Sequence, residues 1–207
     1  MSARVVAAVF PGQGAEQPGV GLPWLDDPLF ARASEVCGID VRRALTRFTS
    51  DVARTSVLQP SLLAMALTAW SRLVARGVRF AFVAGHSVGE IGAWAATGAI
   101  SAEDAVALGG ARGGAMEREA GRRPGAMLAL PADVDLERVL EEGRREGVLE
   151  LAARNGPTQL VVSGDEAAVA RAERSFGGRR LSVSGAWHSA LVEGATEDVV
   201  QIGRAHV

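Results

Sequence analysis

Phe80-Ala81-Phe82-Val83-Ala84-Gly85-His86-Ser87-Val88-Gly89-Glu90 reads as a strand, a sharp turn and the opening of a helix. An apolar run ending in G-x-S-x-G is the setting of a nucleophile elbow, which leaves a serine exposed at the mouth of a helix. The flanking glycines leave room for the turn and for a close ligand. The amide after the serine, that of Val88, points where an oxyanion would form. With 25 glycines in 207 residues, the pattern arises by accident in roughly one such chain in ten. Few accidents follow a strand and precede a helix, so acyl transfer through Ser87 is the first expectation.

Outward from this stretch the chain reads as α/β. Val5 to Phe10 is an apolar, valine-rich run and is expected to be a buried strand. Pro11-Gly12-Gln13-Gly14 ends it in a tight loop. Helices are expected over Pro28 to Val36, with Cys37 a small buried residue at its edge, and over about Val41 to Arg47. Gln59-Pro60-Ser61 is expected to open the clearest helix, since proline suits a first turn; Leu62, Leu63, Ala66, Leu67, Trp70, Leu73 and Val74 follow at helical spacing. After the elbow, a helix runs from Glu90 to about Thr97, with Glu90 matched to the positive helix end. Ser101 and Asp104 form a capping pattern for a helix through Met116. Gly109, Gly110, Gly113 and Gly114 flank Arg112 within it. Glycine costs about 1 kcal/mol relative to alanine inside a helix, so either this helix frays or something packs very close.

The rhythm changes at residue 125. A strand (Ala126 to Leu130), a charged helix (Asp133 to Arg145), two strands (Leu149 to Ala153 and Gln159 to Ser163), a helix (Asp165 to Phe176) and a strand (Arg180 to Val183) spell βαββαβ, the ferredoxin-like split unit. The expected organisation is a large α/β part from residues 1–123 and 184–201, and a smaller ferredoxin-like part from 124–183. Residues 202–207 resemble the translation of a sequencing-library adapter and are set aside, with His206.

Composition narrows the chemistry. The net charge of −2 points to neither nucleic acid nor an anionic surface. No apolar run is of membrane-spanning length. Met1-Ser2-Ala3-Arg4 leads directly into a strand pattern without a leader, so a cytoplasmic location is expected. One cysteine excludes an internal disulfide and a cysteine metal cluster, and no metal is expected. All 22 basic residues are arginine and there is no tyrosine. A lysine Schiff base, a P-loop lysine and a tyrosine acid are therefore excluded.

A serine nucleophile needs a base. Of the three histidines, His86 adjoins the serine and should point away from it. His188, in Ser184-Gly185-Ala186-Trp187-His188-Ser189, is the credible partner. A second oxyanion amide fits Gln13, in the loop after the first strand. Arg112 taken alone reads as a solvated helix charge.

Phe10-Pro11-Gly12-Gln13-Gly14, Gln59-Pro60, Gly85-His86-Ser87-Val88-Gly89-Glu90, Arg112-Gly113 with Met116, and Ser184 to Ser189 stand in an order and spacing that resembles the malonyl-CoA:acyl carrier protein transacylase family, from residue 5 to about 200. The resemblance implies an α/β-hydrolase-like core with a parallel sheet and an inserted ferredoxin-like subdomain. It implies that Ser87 attacks the malonyl thioester and that His188 takes its proton. The Gln13 and Val88 amides then hold the oxyanion, Arg112 pairs with the malonyl carboxylate, and Gln59 and His86 line the pocket. In related polyketide acyltransferases an aromatic residue before the histidine goes with malonyl, so Trp187 favours malonyl here.

Malonyl-CoA and a phosphopantetheinyl carrier protein are the implied substrates, with no bound cofactor. Acyl carrier protein is the implied partner, the chain itself being a monomer of fatty acid synthesis. The family runs on for roughly a third of its length past this point, a stretch that includes the group orienting the histidine. Val192 stands where a methionine is common, and the glycines around Arg112 are more numerous than in the family. A polyketide synthase or malonate-decarboxylase acyltransferase domain, a serine hydrolase and an inactive truncated fragment are the other readings.

Overall fold

The computed structural model describes residues 5–205 apart from Ala15, Val20 and Phe48, and for 201–205 the backbone only. The leader-less start read at residues 1–4, like His206, lies outside the described residues. The chain divides into two compact units, the first ending at Gly114 and the second beginning at Ala115.

In the first unit, β1 (Ala7–Phe10) and β2 (Phe82–Gly85) pair in parallel, Phe10 opposite Gly85. Helices α1 (Pro28–Cys37), α2 (Val41–Arg47), α3 (Thr55–Ala75), α4 (Gly89–Ala96) and the first part of α5 (Ala102–Arg122) accompany them. The core is built from Phe30 and Ala33 of α1, Leu62, Leu63 and Leu67 of α3, Ile91 of α4 and Val106 of α5. Trp70 lies between Phe10 and Phe80, with ring centroids 5.9 and 4.7 Å away. These rings and Val9, Met65 and Leu73 line an apolar groove of about 410 Å³. By length and composition α3 could cross a membrane, but 56% of that stretch is buried, which marks it as a core helix.

The Val5 to Phe10 run is not buried as expected. Phe10 is, but Val5 and Val9 are 73% and 72% exposed. Ala7 and Val9 share the strand face opposite Ala8 and Phe10, and that face is exposed.

Three further expectations are corrected here. First, α3 begins at Thr55, not at Gln59, and Pro60 lies inside it. A proline there removes the donor that the Ser56 carbonyl four residues back would use. The Cys37 thiol of α1 donates to that carbonyl instead, at 3.6 Å. Second, Cys37 is half-buried, and burial pushes its thiol up from 9.0 to about 11. Third, α5 neither frays at its glycines nor stops at Met116. It runs to Arg122, started by Ser101, whose hydroxyl accepts from the Asp104 amide at 3.0 Å. A methyl at Gly113 would press on the Thr55 carbonyl, one at Gly110 on Val36, and one at Gly109 on Leu63. The glycines let α5 lie against α3 and α1 closer than side chains permit.

In the second unit, β3 (Gly125–Pro131), β4 (Leu149–Arg154), β5 (Gln159–Asp165) and β6 (Arg179–Arg180) form an antiparallel sheet in the order β4-β5-β3-β6. With α6 (Leu136–Gly143) and α7 (Glu166–Phe176) this is the ferredoxin-like arrangement that the βαββαβ rhythm called for. α6 is shorter than read, and β6 is a two-residue strand shifted to Arg179 rather than running from Arg180 to Val183. Strand alternation sorts the faces. Leu128, Leu130, Leu160 and Val162 pack with Val139, Leu140, Ala168 and Val169 of the helices. Met127, Ala129 and Val161 face the other way and pack with Met116, Ala120, Trp187 and Ala195. A last helix, α8, runs from Gly194 to Ala205, so the backbone of residues 202–205 is helical.

Candidate active site

The turn between β2 and α4 is built by contact between backbones. A methyl at Gly89 would strike the carbonyl of Phe10, and one at Gly85 would strike Gly89 itself. Only glycine at both positions lets the chain leave the strand and enter the helix in so few residues. The His86 amide donates to the Phe10 carbonyl at 3.0 Å, tying the turn to β1. Ser87, at the apex, has φ 52°. A non-glycine residue with positive φ is uncommon and costs on the order of 1–3 kcal/mol, so its surroundings must hold it there.

The two non-glycine residues with positive φ among the described residues are Ser87 and His188, the latter at φ 60°. They are the two residues that the sequence singles out for chemistry. Ser87 belongs to the first unit and His188 to the second. His188 is exposed, whereas Trp187 beside it is 4% exposed and packed in the apolar cluster of Met116, Met127 and Ala195.

Around Ser87 the remaining candidates of the first unit converge. Val88 is buried at the N-cap of α4, where a helix leaves its first amides without internal partners. The His86 ring lies against the backbone of Gly12, since a methyl there would come within 2.7 Å of its Nδ1. Arg112 Nη2 donates to Ser87 Oγ at 3.3 Å, and Arg112 Nη1 donates to Gln59 Oε1 at 2.6 Å. Both partners are neutral. Burial lowers the guanidinium's pKa and Glu90, in the first turn of α4, acts against this. A half-buried arginine held by neutral groups beside a serine hydroxyl can receive a carboxylate in two-pronged fashion.

Thr55 joins this group without having been read from the sequence. Fully buried, it accepts from Gln59 Nε2 at 2.9 Å and donates to Gln13 Oε1 at 2.8 Å. The available signal was its place four residues before Gln59, which stacks the two on one helix face. A helix that opens at Gln59 leaves Thr55 outside it, whereas α3 begins at Thr55. Among the described residues no group of three or more His, Cys, Asp or Glu could hold a metal ion.

The architecture agrees with known proteins. Residues 8–202 match the acyl transferase domain family. The chain is 37% identical over 214 residues to polyketide synthase GfsA of Streptomyces halstedii, covering 92% of this chain and 3% of that one. It is 34% identical over 211 residues to the malonyl CoA-acyl carrier protein transacylase of Mycobacterium bovis, covering 93% of this chain and 67% of the relative. The solved malonyl CoA-acyl carrier protein transacylase of Burkholderia pseudomallei superposes with TM-score 0.87 at 32% identity, over 98% of this chain and 72% of that one. The chain thus spans a few per cent of the synthase and about two thirds of the free-standing transacylases. On its strand–turn–helix elbow and on these matches, the chain belongs to the acyl transferase domain family.

Proposed function

We propose that this chain carries the machinery for moving a malonyl group from coenzyme A to the phosphopantetheine thiol of an acyl carrier protein, through an ester on Ser87. The observation that supports this best is the Arg112 guanidinium, held by an amide and donating to the hydroxyl of the strained Ser87. An arginine in that place favours an acyl group ending in a carboxylate.

In the first half-reaction, Ser87 Oγ attacks the thioester carbonyl as its proton passes to His188. The Gln13 and Val88 amides hold the resulting oxyanion. The tetrahedral intermediate collapses with rupture of the carbon–sulfur bond, and the coenzyme A sulfur leaves with the proton from His188. In the second, His188 takes the proton of the phosphopantetheine thiol and the sulfur attacks the Ser87 ester. The carbon–oxygen bond breaks and the proton returns to Ser87. The reaction needs no metal and no bound cofactor. Trp187 before the histidine favours malonyl over a substituted malonyl group. A free-standing enzyme of fatty acid synthesis, cytoplasmic and monomeric, is the leading assignment. The likeness to GfsA supports a second, an acyltransferase domain of a polyketide synthase.

Incubation with malonyl-CoA, followed by intact-mass and peptide analysis, should find one malonyl group on Ser87 and none in Ser87→Ala. An unmodified Ser87 refutes the mechanism. Discharge of the adduct by carrier protein faster than by water separates a transferase from a hydrolase.

A further inference from the structure

We propose that Thr55 is a positioning residue, whose hydroxyl relays a hydrogen-bond chain from Gln59 to Gln13 and thereby orients the Arg112 guanidinium relative to the Gln13 loop. This deepens the proposed function and rests on the reading of Arg112 as the carboxylate-holding group.

The direction of the chain follows from what each group can do. A guanidinium only donates. The Gln59 atom 2.6 Å from Arg112 Nη1 must therefore be its carbonyl oxygen, which turns its amide nitrogen toward Thr55 Oγ1 at 2.9 Å. Thr55 Oγ1 receives that hydrogen on a lone pair. Its single proton is then left for Gln13 Oε1, 2.8 Å away. One hydroxyl, accepting on one side and donating on the other, makes the polarity of Gln13, Gln59 and Arg112 agree. Reversing the Gln59 amide would set its nitrogen against the Arg112 guanidinium, donor facing donor; reversing Gln13 would make Thr55 accept twice and leave its proton without this partner.

Burial gives the chain its force. Thr55 and Gln59 are both fully buried, so water does not replace a missing partner. The backbone of Thr55 is held as well, by the close approach of Gly113 to its carbonyl, next to Arg112 in α5. The backbone that carries the hydroxyl thus lies against the helix that Arg112 stands on.

The test uses the full chain with Thr55→Val, Thr55→Ala and Thr55→Ser. The first keeps the shape, the second leaves room, and the third keeps the hydroxyl. In arginine labelled with nitrogen-15, restricted rotation gives Arg112 separate Nη signals, assigned by their loss in Arg112→Lys. Those signals should merge in Thr55→Val and Thr55→Ala and persist in Thr55→Ser. The same two variants should acylate Ser87 with malonyl-CoA about tenfold more slowly, through KM more than kcat. Thr55→Ser should restore the rate. Should Thr55→Val not fold, Thr55→Ala carries both readouts. Separate Nη signals surviving the loss of the hydroxyl overturn the proposal whatever the activity. Merged signals in a protein whose wild type never acquires malonyl uphold the positioning role and refute the transferase reading instead.

Discussion

Replacing Arg112 by alanine separates recognition of the acyl group from catalysis on it. In the proposed complex a malonyl carboxylate takes two charge-assisted hydrogen bonds from a guanidinium that now donates to Gln59 and Ser87. Such bonds contribute about 1.5–3 kcal/mol each. Two give about 3–6 kcal/mol, and the lower end applies because Arg112 is only half-buried and water reaches part of the site. About 3 kcal/mol corresponds to a loss on the order of 10²-fold in kcat/KM for malonyl-CoA. Acetyl-CoA brings no carboxylate. For it, the wild-type site presents a partly desolvated cation to an acyl group that brings no charge, and the alanine variant removes that burden. Its rate should stay level or rise, so the preference for malonyl over acetyl should collapse by about the same 10²-fold. The assay is second-order acylation of Ser87, followed by intact mass at subsaturating thioester, with thermal melts confirming that the variant is folded. Equal losses on the two thioesters would show that Arg112 serves Ser87 or the fold, and the argument for a carboxylate-bearing substrate would be refuted.

Other perturbations test the scaffold. At Ser87 the positive φ predicts that Ser87→Gly is more stable than Ser87→Ala, by about 1 kcal/mol, the reverse of their helix propensities; denaturant titration of the two variants decides this. Gly113→Ala drives a methyl into the Thr55 carbonyl and should cost ~1–3 kcal/mol, seen as a Tm lower by roughly 2–12 °C. Trp187→Ala empties a packed position and should cost ~3–5 kcal/mol, read as a fall in urea midpoint; a loss below 1 kcal/mol would mean that the ring is not the packing element it is taken for. Cys37 has its thiol raised to about 11, so it is protonated below that value and becomes thiolate only as the pH climbs through it. At pH 9 its alkylation should be roughly fiftyfold slower than that of the unfolded chain, and a rate profile with its midpoint near 9 would contradict the packing of α1 on α3.

How much of this was legible in the sequence depends on the range over which each feature is decided. The elbow was legible because its constraint is local: Gly85 and Gly89 touch each other, and residues so near in the chain carry their own steric logic. The βαββαβ rhythm was legible because short apolar runs and longer charged helical stretches succeed one another from Gly125 to Arg180; the sheet order β4-β5-β3-β6 is what the fold adds. The start of α3 was not. Proline in a second turn looks like a helix boundary until the Cys37 thiol, nineteen residues away, supplies a donor for the Ser56 carbonyl. The glycines of α5 posed a choice between fraying and close packing that only Thr55, Leu63 and Val36 decide, and these lie in other helices.

The candidate site divides the same way. Ser87 and Val88 belong to one turn and were read from it. Gln13, Thr55, Gln59 and Arg112 come from a loop and two helices, and what unites them is the direction of hydrogen bonds, which no spacing encodes. His188 was reached by elimination among three histidines. Its left-handed backbone, shared among described non-glycine residues only with Ser87, is a separate reason to single it out. Strain in a side-chain-bearing residue persists only where the surroundings impose it. Finding it at the two positions that chemistry had already chosen links the local sterics of each loop to the reaction proposed for them.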